Sequence, residues 1–240
     1  MTERYRPYPF AGGLIYLDVD ESPAMRRRAE GRYEPERVAA LQRLLAPGMT
    51  FVDAGSNKGD YALIAARVMK DQGRVLAFEP APDNCRWVRA SIELNGYRSI
   101  SLFELALSDA EGRVPLYLGE WSGWHSLVRR ERPQRSIEVE ARTLDAVLAE
   151  TDDPGVDVIK IDVEGAELAV LRGAERTLRD ERLFAVLLEL HPGHGVDAVD
   201  VVELLAAQGF SFRDPNDIDV ELPELPEMPT DLVAMRPRAR

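Results

Sequence analysis

The stretch at residues 156–173, VDVIKIDVEGAELAVLRG, sets Lys160, Asp162 and Glu164 within and at the end of an apolar run. A carboxylate emerging from an apolar strand requires a partner or a ligand, because an unpaired buried charge is costly. Asp162 is therefore the first candidate for an active-site group. Glu164 has two readings: a cap on the helix that begins near Ala166, where a carboxylate meets free backbone amides, or a site residue beside Asp162. Lys160 alternates with Ile159 and Ile161, so it shares a face with Asp162, and an ion pair with Asp53 or Glu189 is its expected role. Further along, LLELHPGHG carries Glu189 and His191 on a common face. A histidine titrating near neutrality suits removal of a proton from an acceptor. His191 is the first candidate for that base, with His125 in WSGWHSL and His194 as alternatives. Asp162 with Glu189 could instead hold a hard cation such as magnesium, although two carboxylates are a thin ligand set. Neither a cysteine nor a further histidine near HPGHG completes a zinc site.

A second group of residues has binding chemistry. The segment DAGSNKGD carries Asp53, Gly55, Asn57 and Gly59 after a short apolar run. A glycine turn between strand and helix lets the backbone approach a ligand and presents free amides at the helix start. The spacing is acid-x-Gly-x-x-x-Gly rather than the dinucleotide pattern G-x-G-x-x-G. An acid at position 53 disfavours a pyrophosphate and suits a ligand with an amino acid portion, such as S-adenosylmethionine. Glu79 ends the next strand 26 positions after Asp53, where nucleoside-binding sheets place an acid on ribose hydroxyls. Pro80 and Asn84 follow it and are assigned to the same ligand. Ser108 and Asp109, after the third strand, are expected at the adenine edge.

These residues need elements to hold them. EPERVAALQRLLAPG, DYALIAARVMK and APDNCRWVRASIELNG have helical apolar spacing, and MTFVDAG, GRVLAFEP and SISLFELAL read as strands between them. LDAVLAE, AELAVLRGAERTLRD and DAVDVVELLAAQG add helices, while VDVIKID, LFAVLLELH, FSFR and DLVAMRP complete about seven strands. Strands alternating with helix-length segments predict an α/β fold with a mostly parallel, Rossmann-like sheet and helices on both faces. Residues 1–33 are expected as a lead-in packed on the domain formed by 34–240, and residues 112–143 as a hairpin-like insertion. The insertion holds Trp121 and Trp124 with Arg129, Arg130, Arg132 and Arg135. These suit stacking on a sugar and holding an anionic group, or else form a solvated arm or a homodimer contact.

With 240 residues, 45% hydrophobic and 30% charged, one large domain is expected. The formal net charge of -12 argues against nucleic acid or an anionic membrane as partner and favours a small molecule. One cysteine, Cys85, excludes an intrachain disulfide, and no apolar run reads as a signal peptide or membrane span, so a cytoplasmic location is expected.

At FVDAGSNKGDYALIAA, VLAFEPAPDNCRWVRASIELNG and above all VDVIKIDVEGAELAVLRGA, the chain resembles the FkbM family of S-adenosylmethionine-dependent methyltransferases, over roughly residues 31–210. The resemblance implies the class I methyltransferase fold, a cofactor held by the first three strand ends, and methylation of a hydroxyl on a sugar, polyketide or similar natural product. GRYEPE at residues 31–36 resembles the family's lead-in, which implies Glu34 near the cofactor. Residues 119–135 depart most, and substrate choice is expected there. Rival readings are a nicotinamide-dependent oxidoreductase, whose G-x-G-x-x-G turn is missing, and a scaffold that binds cofactor without turnover.

Overall fold

In the computed structural model the described residues are 4–129, 135–152, 155–191, 198–221 and 230–238. The chain opens with a hairpin, β1 (Arg6–Phe10) and β2 (Gly13–Leu17), then helices α1 (Pro23–Ala29) and α2 (Pro35–Leu44). There follow β3 (Thr50–Ala54), α3 (Asp60–Val68), β4 (Arg74–Phe78), α4 (Pro82–Asn95) and β5 (Ile100–Phe103). The middle contains β6 (Ala106–Leu107), β7 (Gly112–Tyr117), a single 3-10 turn (Ser122–Trp124) and β8 (Ser136–Arg142). The last part runs α5 (Leu144–Ala149), β9 (Val158–Ile161), α6 (Glu167–Arg172), α7 (Glu175–Arg179), β10 (Ala185–Glu189), α8 (Ala198–Ala207), β11 (Ser211–Arg213) and β12 (Asp231–Met235).

Seven strands form the main sheet in the order β11-β12-β10-β9-β3-β4-β5. The five from β10 to β5 are parallel, and β12 runs antiparallel to both of its neighbours. The strands are apolar on both faces, as a sheet covered on each side requires. Along β3 and β4 the period of two sorts Phe51, Val75 and Ala77 to one core and Val52, Leu76 and Phe78 to the other. The first core also takes Leu41 of α2, Ile64 of α3 and Ile15 and Leu17 of the hairpin. The second is closed by Leu144, Val170, Leu171, Val201 and Leu205 from α5, α6 and α8. The lead-in thus shares the first core. It is tied further by a buried ion pair, Arg28 Nε to Asp60 Oδ1 at 2.9 Å, and by Tyr5 stacked on Trp87 with ring centroids 3.9 Å apart.

Two expected elements divide. The third strand stops at Phe103, and after Glu104 and Leu105 the pair Ala106–Leu107 joins β8 in a separate three-stranded sheet, β6-β8-β7. The 112–143 segment supplies the other two strands of that sheet, β7 and β8, paired antiparallel. The single helix expected over AELAVLRGAERTLRD breaks at Gly173, where a Cβ would lie 2.0 Å from the Ser108 carbonyl oxygen. The close approach there fixes the helix pair against the β6 end. Among the described residues no helix is long and apolar enough to cross a membrane.

Candidate active site

The carboxyl ends of β3, β4 and β9 border a cleft whose lining includes Gly55, Glu79, Leu107, His125, Asp162 and Glu164. The β3–α3 turn forms one side. Gly55 there has φ +79, and a Cβ would stand 1.9 Å from the Asp162 carbonyl oxygen, so only glycine allows the turn to pack against β9. Asn57, also with positive φ, lines the cleft, and its buried Oδ1 has no hydrogen-bond partner among the described residues. The buried Ser122 Oγ, across in the insertion, is likewise unpaired.

Glu79 lies just beyond β4 and is 5% exposed. Its Oε2 accepts from the Asn57 amide at 2.8 Å, and its Oε1 from the Ala81 amide at 2.9 Å and Asn84 Nδ2 at 3.2 Å. Burial outweighs these donors and pushes its pKa up to about 7. Of about four acceptor positions on a carboxylate, three are used, leaving about one for a ligand. Leu105, Leu107, Leu116 and Leu127 give the cleft its apolar wall.

The insertion roofs the cleft and is anchored at three points. Ser126 Oγ donates to the Glu164 carbonyl at 2.6 Å, Asn84 Nδ2 to the Ser122 carbonyl at 3.2 Å, and the Ser122 amide to Glu21 Oε1 at 2.6 Å. Glu21 also lies 3.7 Å from Nζ of Lys58, a fully buried lysine that donates to Asn84 Oδ1 at 2.8 Å and to the Tyr5 hydroxyl at 3.0 Å. Burial pulls the Lys58 pKa down against the charge of Glu21.

Beside the cleft, and joined to it through Asp162 and Glu164, is a charged cluster at the ends of β9 and β10. His191 Nδ1 is 2.9 Å from Oε1 of Glu167, a fully buried residue of α6. His191 Nε2 stands 3.9 Å from Asp162 Oδ1, 3.7 Å from Glu164 Oε1 and 3.7 Å from Glu189 Oε1. Burial alone would lower the His191 pKa, but the Glu167 hydrogen bond and the charges of Glu164 and Asp162 lift it to about 9. Burial and the neighbouring Asp162 charge push Glu189 up to about 7, against Arg37. Asp162 is held below the usual carboxylate range: burial would raise it, and the charges of Lys160, Arg37 and His191 prevail. Arg37 of α2 pairs with Glu189, with Glu34 at 3.2 Å and with Asp231 at 3.3 Å.

Of the residues expected to bind cofactor, Gly55, Asn57, Glu79, Pro80, Asn84 and Asp162 line the cleft. Asp53 does not. It is fully buried, its Oδ2 accepts from the Ala62 amide at 3.1 Å, and its Oδ1 is 3.3 Å from Lys160 Nζ, its register partner on β9. Its carboxylate is engaged within the sheet by these two partners. Gly59 is the N-cap of α3, backed by Val88, and is not in the lining. Ser108 lies one residue beyond the lining, with its amide bonded to the Arg142 carbonyl and its hydroxyl to the exposed Asp109. Glu34 belongs to the charged cluster, where its Oε2 accepts from the Tyr61 hydroxyl at 2.6 Å.

Among the expected catalytic groups, His125 lines the cleft, while His191, Glu189 and Asp162 meet in the cluster. Raised to about 9, His191 is protonated at neutral pH rather than poised to take a proton. His125 Nδ1 accepts from the Gly119 amide at 3.1 Å, and burial lowers its pKa. The tautomer assigned from that bond puts its proton on Nε2, which makes it a donor. Glu164 has φ +55 and is not the α6 cap, because Ala166 occupies that position. Gly165 instead donates to Glu167 Oε1 at 3.0 Å. Trp121 and Trp124 stand together with ring centroids 4.5 Å apart, and Trp124 is 42% exposed. His194, Arg130 and Arg132 lie outside the described residues.

Sequence reasoning missed Arg37, Glu167, Lys58 and Glu21. Arg37 was signalled by its position three residues after Glu34, and Glu167 by a charge on the apolar face of a short helix.

Sheet order, strand directions and a cleft outside the strand ends define a class I methyltransferase fold. The sequence profile described as Methyltransferase FkbM domain matches residues 53–212, and the chain belongs to that methyltransferase family. It is 30% identical over 162 residues to the hexuronic acid methyltransferase AglP of Haloferax volcanii, a match covering 66% of this chain and 62% of that one. It is 27% identical over 182 residues to the 2-O-methyltransferase NoeI of Sinorhizobium fredii, covering 66% and 72%. The matches span 60–72% of the length of four curated relatives. A solved FkbM methyltransferase from Methylobacillus flagellatus shares the fold with a TM-score of 0.55 at 18% identity, over 80% of this chain and 44% of that one.

Proposed function

We propose that this chain transfers the methyl group of S-adenosylmethionine to a hydroxyl of a small acceptor, a glycoside, uronic acid or related natural product. The observation that carries this reading is the shared position of Asp162 and Glu164. Both line the cleft, and both belong to the charged cluster beside it. The names of the two sugar-related relatives support a carbohydrate acceptor.

The cleft residues fit the cofactor. The remaining acceptor position on Glu79 suits a ribose hydroxyl, the orphaned Asn57 Oδ1 and Ser122 Oγ offer further partners, and the leucine wall suits a flat base. When bound, S-adenosylmethionine supplies an activated methyl carbon for in-line displacement. The chain's residues then hold an acceptor oxygen in line and take its proton. Asp162 and Glu164 do this as hydrogen-bond acceptors at the cleft wall. Lys160, 3.6 Å from Asp162 Oδ2, holds that carboxylate in place. His125 Nε2–H orients a lone pair, and the exposed Trp124 ring offers a stacking face to an acceptor at the rim of the insertion.

The test is a panel of glycosides, uronic acids, simple alcohols and amines incubated with S-adenosylmethionine, read by release of S-adenosylhomocysteine and by product mass. Methylation of a sugar hydroxyl is the expected result. Turnover with amines alone, or with none of the hydroxyl acceptors, would overturn the proposal.

A further inference from the structure

We infer that His191, Asp162 and Glu164 form a binding site for a divalent first-row transition metal at the edge of the cleft. Donor atoms from these three residues all lie within 4.8 Å of one another. His191 Nε2 is 3.9 Å from Asp162 Oδ1 and 3.7 Å from Glu164 Oε1, beyond the roughly 2.7–3.2 Å of a hydrogen bond. Two ligand atoms each about 2.1 Å from one tetrahedral ion are about 3.4 Å apart. The two distances from His191 Nε2 therefore exceed that spacing by about 0.3–0.5 Å, and the third donor pair lies within the 4.8 Å that encloses the set.

The histidine is mounted in the way a metal ligand is. Its Nδ1 faces Glu167 at 2.9 Å, which fixes the ring and points Nε2 at the two carboxylates. Glu167 is a second observation at this site. It is fully buried, and its Oε2 has no hydrogen-bond partner among the described residues. A carboxylate kept there is costly without positive charge beside it, which an imidazolium supplies in the empty site and an ion on the far side of a neutral ring supplies in the loaded one. Glu164, meanwhile, is held in the left-handed conformation with φ +55, a strained state for glutamate that brings it to the cluster.

Side-chain exposures of 13% for His191, 21% for Asp162 and 15% for Glu164 leave the donors reachable from the cleft. Three protein ligands leave a coordination position for water or an acceptor oxygen. One imidazole with two carboxylates favours manganese, iron or zinc, whereas magnesium demands an octahedral shell of oxygen. The donor set thus differs from the all-oxygen Asp162–Glu189 pair expected for magnesium, since Glu189 is engaged by Arg37. A role for the ion in ordering an acceptor hydroxyl rests on the proposed function; the site itself does not.

The test uses the full chain, freed of metal with a chelator and titrated with Mn²⁺ while the free-ion electron paramagnetic resonance signal is followed. A single bound Mn²⁺ per chain, displaced by Zn²⁺, is expected. His191→Ala and Glu164→Gln should each weaken it at least tenfold, and Glu167→Gln, a positioning change, by about 10- to 100-fold. Circular dichroism and urea unfolding of the same variants, unchanged from wild type, show that they are folded. Absence of Mn²⁺ and Zn²⁺ binding would overturn the inference and leave a protonated His191 as the counter-charge. Binding that survives His191→Ala would overturn it by placing the ion elsewhere. Mn²⁺ binding in a chain that does not bind S-adenosylhomocysteine would uphold the site and refute the cofactor reading.

Discussion

Glu79 offers a test in which affinity and stability move in opposite directions with pH. Its carboxyl is pushed up to about 7 by burial, so it is about one-tenth ionised at pH 6 and nine-tenths at pH 8. A ribose hydroxyl donates to the ionised form. The dissociation constant for S-adenosylhomocysteine should therefore fall about tenfold from pH 6 to pH 8, or about 1.4 kcal/mol. The apo chain behaves inversely. A carboxyl whose folded pKa is raised from 4.5 to about 7 stabilises the fold below the unfolded value and loses that contribution as pH rises through 7. Between pH 5 and pH 8 the loss from this group is about 2.5 kcal/mol. Calorimetric titration and urea unfolding at matched pH values measure the two trends, with Glu79→Gln as the reference that cannot ionise. Titration of the ligand is common to both proteins and cancels. A flat affinity profile, or the same slope in Glu79→Gln, would refute the reasoning.

Other perturbations follow from single contacts. Gly55→Ala places a methyl 1.9 Å from the Asp162 carbonyl and adds a left-handed alanine, so S-adenosylhomocysteine affinity should drop at least tenfold, about 1.4 kcal/mol, by calorimetry. Lys160→Met strands the fully buried Asp53 without its cation and should cost about 3–5 kcal/mol in urea unfolding. Arg28→Leu should cost a similar amount by leaving buried Asp60 unpaired, while an unfolding midpoint close to wild type would show that the pair is dispensable. Asp162→Asn should lower turnover about 100-fold with its circular dichroism unchanged, and undiminished turnover would remove Asp162 from proton transfer.

The sheet was legible because its strands are buried on both faces and separated by helices with clear apolar spacing. Phe51 and Val52 alternate between cores for the same reason that they read as strand from their pattern. The cleft was legible in part: Gly55, Asn57, Glu79 and Asn84 occupy chain positions where strand-to-helix turns meet ligands. Asp53 lies outside the cleft lining because a strand-terminal acid faces either ligand or core, and the deciding fact, not legible in the sequence, is the register that sets it opposite Lys160. The α6 break at Gly173 depends on the Ser108 carbonyl, a contact between segments far apart in sequence. Arg37 lies on a helix whose charged face reads as solvated, and Glu167 is one charge on the apolar face of a short helix, with no partner visible in the sequence. Only the docking of α2 and α6 at the ends of β9 and β10 turns those charges into the site.

The cleft beside Glu79 is central to the account, and binding measures it most directly. Calorimetric titration of the full chain with S-adenosylhomocysteine and, separately, with NAD should show saturable one-to-one binding of the first and none of the second. Saturable NAD binding with no response to S-adenosylhomocysteine would contradict the account.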